Sequence, residues 1–201
     1  MLPPSQALDK QLTSCEVFNT ISLQLGVDVY DRETICGFCG MVSDKAGLHA
    51  LSCTAGADIL YRHNDVRHLL HSSCIRARLN PELEKADLLQ DESIMVVLRR
   101  PADLLVNGIG NRNRNVLKSA IDVRVINALG PTHLDVTTGD GLAAAKSYRQ
   151  QQIEHLRTGE LCAAQDISYQ PMVFTAQGGC ERHAEALISQ IAKAVAKCEN
   201  T

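Results

Sequence analysis

SIMVVLRRPADLLV, residues 93–106, and VLKSAIDVRVINAL, residues 116–129, carry the change of period on which the fold turns. The first has an apolar run at Ile94 to Leu98, a break at Pro101 and a second run at Leu104 to Val106. In the second, Ile121, Val123 and Val125 alternate with Asp122 and Arg124, the two-residue period of a strand. These segments read as adjacent strands of a β-meander, and NGIGNRNRN (107–115) between them suits a hairpin loop. Helical spacing flanks them. Before them, the stretch from Asp58 to Leu79 carries Ile59, Leu60, Val66, Leu69, Leu70 and Ile75 as its expected apolar face. After them, GLAAAKSYRQQQIEHLRTG reads as a helix closed by Gly159, followed by a short strand at Pro171 to Thr175 and a last helix from about Glu181 to Lys197. The order predicts an α/β fold with a central mixed sheet flanked by helices.

Acidic residues on those strands come next. Asp103 stands near a strand start and Asp122 in an otherwise apolar strand about a hairpin away, so antiparallel pairing would bring both carboxylates to one end of the sheet. Glu84, in PELEKADLL on or near the preceding helix, would complete a trio. Converging carboxylates repel unless a cation holds them, and oxygen ligands suit Mg²⁺ or Mn²⁺. Each acid also has an ordinary reading as a turn cap, an edge-strand or a surface residue, and spacing alone favours those.

CGFCGMVSDKAGLHALSC, residues 36–53, sets Cys36, Cys39, His49 and Cys53 in a short span. Zinc takes four nitrogen or sulfur ligands at tetrahedral corners, and a C-x2-C turn eased by Gly37 and Gly40 supplies two. A turn at Ser43 to Gly47 would return the chain so that His49 and Cys53, four apart, come from one face of a short helix. A thioredoxin-like pair would need neither His49 nor Cys53, and buried free cysteine is the other alternative. Four protein ligands leave no open position, so the zinc expected here is structural.

Composition bounds the rest. The 201 residues suffice for one well-cored domain plus a small appendage, with three Phe, four Tyr and no Trp, so the core is expected to be aliphatic. A net charge of −3 gives no global attraction to nucleic acid, which leaves only local patches. No apolar run is long enough for a membrane span, MLPPSQALDK lacks the pattern of a secretory signal, and the eight cysteines are expected to be reduced. The expected location is intracellular. Leu8, Leu12, Cys15, Val17, Phe18, Ile21, Leu23 and Leu25 suggest an amphipathic N-terminal helix stopped by Gly26. Basic residues follow the knuckle directly, at Arg62, His63, Arg67, Arg76 and Arg78; they form either a solvated helix face or a phosphate-binding one.

The ordered series CGFC, GLHALSC, YRHNDVRHLL, PELEK, RRPADLLV, AIDVRV and PMVFTAQGG resembles the C-terminal region of reverse-transcriptase polyproteins from non-LTR retrotransposons, over roughly residues 15–190. There a CCHC zinc knuckle runs into a restriction-like endonuclease of the PD-(D/E)XK superfamily. The resemblance implies an N-terminal helical segment (1–35), a knuckle (36–57) and a nuclease domain (58–201). It implies structural zinc on Cys36, Cys39, His49 and Cys53, catalytic Mg²⁺ or Mn²⁺ on Asp103 and Asp122, Glu84 assisting, and a nuclear protein that nicks DNA, with the element RNA as a further partner. Arg62, His63 and Asn64 match a polar trio that would pack the knuckle and touch the DNA backbone, with Arg67, Arg76, Arg99 and Arg100 extending the contact and Arg78, Arg112 and Arg114 available to phosphates. The chain departs from the pattern at Arg124, where a lysine is expected. Lys146, on a helix that also offers Tyr148 and Arg149, is the candidate replacement. The alternative reading is a catalytically inactive, zinc-stabilised module for nucleic-acid binding or protein interaction.

Overall fold

The computed structural model describes residues 12–85, 88–89, 102–109, 118–130, 133–137 and 140–200. The expected run at Ile94 to Leu98, most of the 107–115 loop, and Arg99, Arg100, Arg112 and Arg114 lie outside the described residues. The chain forms two compact units, with the boundary between Gly56 and Ala57.

In the first unit, helix α1 (Ser14–Leu25) begins at a capping box: the Thr13 hydroxyl accepts from the Glu16 N–H, and the Glu16 carboxylate accepts from the Thr13 N–H. It ends at Gly26, whose φ of 67° is the left-handed conformation glycine adopts without strain. Of the expected apolar stripe, Leu8 lies outside the described residues, Leu12 precedes the helix, and Val17, Phe18, Ile21 and Leu25 are exposed; the residue α1 buries is Ser22. Strands β1 (Thr34–Ile35) and β2 (Val42–Ser43) form an antiparallel hairpin, and helix α2 (Leu48–Ser52) follows.

The second unit is built on a four-stranded sheet of β3 (Glu82–Leu83), β4 (Leu104–Asn107), β5 (Lys118–Ile126) and β6 (Ile167–Thr175), in that spatial order. The first three strands are antiparallel neighbours, and β6 runs parallel to β5. A parallel neighbour needs a long crossover. It is made here by α4 (Leu134–Thr137), α5 (Ala143–Glu154) and α6 (Thr158–Ala163). Helix α3 (Asp58–Arg76) precedes the sheet and α7 (Arg182–Glu199) closes the unit, with Glu181 capping α7 through the His183 N–H. Leu104, Val106, Ile121, Val123 and Met172 pack with Leu70 and Cys74 of α3 and Leu187 and Ile191 of α7. On the opposite side, Leu105 and Ala120 meet Cys162 and Ile167. Both faces of β5 are thus covered, which is why its central residues are buried without alternation.

Four expectations change. Helix α3 buries Leu70 of the expected face and packs Val66 against the core, adding Cys74 and, just past its end, Ala77, while Leu60, Leu69 and Ile75 of that face are exposed. Gly159 does not close a helix. The chain kinks at Leu156 and Arg157, both with positive φ, and Gly159 lies inside α6, where an added Cβ would stand 2.9 Å from the Ile153 Cγ2. Glu84 follows strand β3 with φ of 45° instead of lying on a helix, because PELEK supplies the strand that pairs with β4. The strand expected at Pro171 to Thr175 is longer and starts at Ile167; Pro171 is accommodated because β6 is an edge strand.

Candidate metal centre and carboxylate site

The first cluster grows from the β1–β2 hairpin. The Gly40 N–H donates to the Cys36 carbonyl (2.9 Å) and the Cys36 N–H to the Met41 carbonyl (2.8 Å), which folds Cys36 and Cys39 to one side of a tight turn; Gly40 takes φ of 73°. Asp44 starts α2 by accepting the Leu48 N–H at 3.0 Å and the His49 N–H at 2.6 Å, so its carboxylate fixes where His49 projects. Four residues on, the Cys53 N–H donates to the His49 carbonyl at 2.8 Å. The four ligand atoms of Cys36, Cys39, His49 and Cys53 lie within 4.8 Å of one another. The Cys36 and Cys53 sulfurs are 3.8 Å apart, the separation that two Zn–S bonds of about 2.3 Å produce at a tetrahedral angle. Cys39 Sγ stands 3.3 Å from His49 Nε2. N–H groups of Cys39 and Phe38, and then His49, stabilise the Cys36 thiolate and draw its pKa down to about 6, so it is ready to ligate at neutral pH. Three thiols and an imidazole in this geometry could hold a metal such as zinc.

The second cluster lies at the start of β4. The pairing of Leu104 with Ile121 places Asp103 directly opposite Asp122, and the Asp103 N–H donates to the Ile121 carbonyl at 2.9 Å. Asp103 turns one oxygen onto the Val123 N–H (2.7 Å), so its side chain extends the ladder where the strand stops. Its other oxygen stands 3.3 Å from His63 Nε2 of α3. Asp122 is 3% exposed; its oxygens take the Tyr169 hydroxyl at 3.0 Å and the Arg124 guanidinium at 3.2 Å. Burial pushes the Asp122 pKa up to about 6, Arg124 pulls it back, and Asp103 raises it further. Burial and the neighbouring Asp122 push the Tyr169 hydroxyl well up, so it stays a donor.

The other sequence candidates fall around this pair. Glu84 bonds through its backbone N–H to the Asp103 carbonyl (2.9 Å), while its carboxylate pairs with Arg67. Lys146 does not join the carboxylates: its ammonium donates to Asp140 at 2.6 Å, since Asp140 sits six residues before it at the mouth of α5. Tyr148 meets His133 edge-on, with ring centroids 6.5 Å apart, and Arg149 stands 3.9 Å from Glu181. Arg62 is half-buried and donates to the Asp58 carbonyl at 3.3 Å; Arg76 pairs with Glu199; Asn64 is half-buried and Arg78 exposed. Among the described residues of the expected phosphate-contacting set, His63, Arg67 and Arg76 each stand against an acid, Asp103, Glu84 and Glu199.

His63, a member of the expected polar trio, stands 3.3 Å from Asp103. Sequence reasoning missed two participants. Tyr169 lies on a strand that was expected to begin two residues later, and Asp44 was read only as part of a turn. Comparison of the chain with protein-family models, curated proteins and solved structures finds no match.

Proposed function

We propose that the second unit is a metal-dependent DNA endonuclease of the restriction-like kind, carried beside a structural zinc knuckle, as in the polyproteins of non-LTR retrotransposons. The observation that carries this reading is the register that opposes Asp103 and Asp122, on the second and third strands of a helix–three-strand–helix–strand order whose last strand is parallel to the third. Two carboxylates brought together at a strand end, one of them buried, suit a divalent cation better than they suit packing. A Mg²⁺ or Mn²⁺ ion bound there would polarise a phosphoryl oxygen and lower the pKa of a water. The chain's own residues do the rest. The Val123 N–H aims Asp103, and the Tyr169 hydroxyl aims Asp122. Arg124 holds a permanent positive charge beside Asp122, fitted to stabilise developing phosphoryl charge but unable to exchange a proton with water.

A specific observation favours the second reading, an inactive binding module: the Arg124–Asp122 pair already neutralises the buried carboxylate without a metal. Cleavage of labelled single- and double-stranded DNA with Mg²⁺ or Mn²⁺ separates the two. Loss of cutting in both Asp103→Ala and Asp122→Ala supports the nuclease. A native chain that retains DNA in a salt-sensitive gel shift without cutting it supports the binding module.

A further inference from the structure

We infer that the first unit docks a segment of a partner protein, in which an arginine flanked by apolar residues enters a hollow between α1 and the loop before the knuckle. The inference is independent of the nuclease reading, since it involves neither Asp103 nor Asp122.

The hollow has a volume of about 540 Å³ and is walled by Phe18 of α1 and by Asp28, Val29, Tyr30 and Asp31. The knuckle segment fixes this loop. The N–H groups of Val29 and Tyr30 both donate to the Lys45 carbonyl, at 2.8 and 2.9 Å, and both side chains lie over buried Gly47, where an added Cβ would stand 3.5 Å from Val29 and 3.7 Å from Tyr30. Glu16 and Asp44 of the same unit spend their carboxylates on backbone N–H groups. Asp28 and Asp31 have no hydrogen bond or ion pair among the described residues, so their charge faces the hollow uncompensated. The rings beside them are open to water, Phe18 at 57% and Tyr30 at 43% exposure. The whole chain has only three Phe and four Tyr, so rings left outside the core on this small unit point to a ligand more than to packing.

Aromatic faces beside free carboxylates suit a guanidinium. Its plane stacks on a ring while its N–H groups fork onto a carboxylate, and it gives up water more readily than an ammonium does. A metal ion fits less well, because among the described residues the knuckle is where three or more metal-ligating side chains converge. Nucleic acid is disfavoured by charge. Residues 12–56 hold Glu16, Asp28, Asp31, Glu33 and Asp44 against Arg32 and Lys45, and a zinc ion held by three thiolates would leave the knuckle negative as well. The same field attracts a basic segment. A peptide also has more to gain here than a free organic cation. Ile35 and Val42, which oppose each other across the β1–β2 hairpin, are exposed, as are Phe38 and Met41 on its turn, so apolar residues flanking the arginine have surface to bury.

The test is selection of a randomised phage-displayed peptide library on the full zinc-loaded chain, then anisotropy titration of the strongest peptide and of a labelled single-stranded oligonucleotide. The expected result is a consensus of arginine between apolar residues, with affinity lowered about ten-fold or more in the double variant Asp28→Asn, Asp31→Asn and about three-fold in Phe18→Leu. Two readouts use the native chain alone. Replacing the peptide's arginine by citrulline, its neutral isostere, should cost a similar ten-fold or more, and bound peptide should slow hydrogen exchange at residues 28–31. Selection without an arginine consensus, or affinity unchanged by citrulline or by the aspartate substitutions, would overturn the inference. An oligonucleotide that binds the native chain and displaces the peptide would overturn it too, and would make this face a nucleic-acid surface.

Discussion

Replacing Asp122 by Asn should stabilise the protein at neutral pH, against the usual effect of changing a buried residue. Asp122 has an ordinary carboxyl pKa of 3.8 and is pushed up to about 6 in the fold, chiefly by burial. The sign follows from proton binding. The folded state holds the Asp122 proton more tightly than the unfolded chain does, so its contribution to stability is fully present below about pH 4 and is lost as pH rises through about 6. A shift of about two units, at about 1.4 kcal/mol each, sets the cost of the ionised form near 3 kcal/mol at pH 7.5. Asn keeps the shape and can still accept from the Tyr169 hydroxyl without that charge. Arg124, with 42% of its side chain exposed, can turn to water when its partner is gone. Allowing for that loss, the expected gain is about 2 kcal/mol, or roughly 8 °C in Tm. It should fall to about half at pH 5, where the native carboxyl is largely protonated. The assay is paired thermal unfolding of native and Asp122→Asn chains at both pH values, zinc-loaded and free of Mg²⁺ and Mn²⁺. A variant less stable than the native chain at pH 7.5, or a gain independent of pH, would refute the reasoning.

Three further outcomes are expected. Chelation of the knuckle metal, or Cys39→Ser, should release hydrogen-exchange protection in residues 36–53, because four polar ligands would lose the partner that joins hairpin to helix; protection unchanged after proven metal loss would contradict the zinc centre. Gly159→Ala should destabilise by about 1 kcal/mol, as the contact of its Cβ with Ile153 outweighs the better helix propensity of alanine, and an equal or higher Tm would contradict the packing at the α5–α6 kink. Arg124→Lys should raise the DNA cleavage rate about ten-fold or more by restoring a cation that can exchange protons with water, whereas an unchanged rate would mean that Arg124 is not limiting.

Local patterns carried much of the fold. The alternation around Asp122, the Gly26 stop and the C-x2-C turn each encode their geometry within a few residues, and the opposition of Asp103 to Asp122 needed only the assumption of an antiparallel hairpin. What failed was set by tertiary contact. Strand β3 is two residues long and exists because β4 offers it an edge, so PELEK gave no strand period. The buried stripe of α3 depends on where the sheet lies, and several apolar faces were available to it. His63 reached Asp103 across some forty residues of sequence, a pairing no local spacing could signal. The helical position of Lys146 suggests the missing cation, yet an acid close by in sequence, Asp140, takes its ammonium.

The most direct measurement is the single-turnover cleavage rate of an end-labelled DNA duplex by the zinc-loaded native chain and by Asp103→Asn, with saturating Mn²⁺. Asn keeps a carbonyl oxygen for the Val123 N–H while removing the charge that would hold a cation. The account predicts cutting by the native chain and a loss of about a thousand-fold or more in the variant. Equal rates, or DNA left intact by both at protein concentrations that bind it fully, would contradict the claim that Asp103 and Asp122 form a nuclease centre.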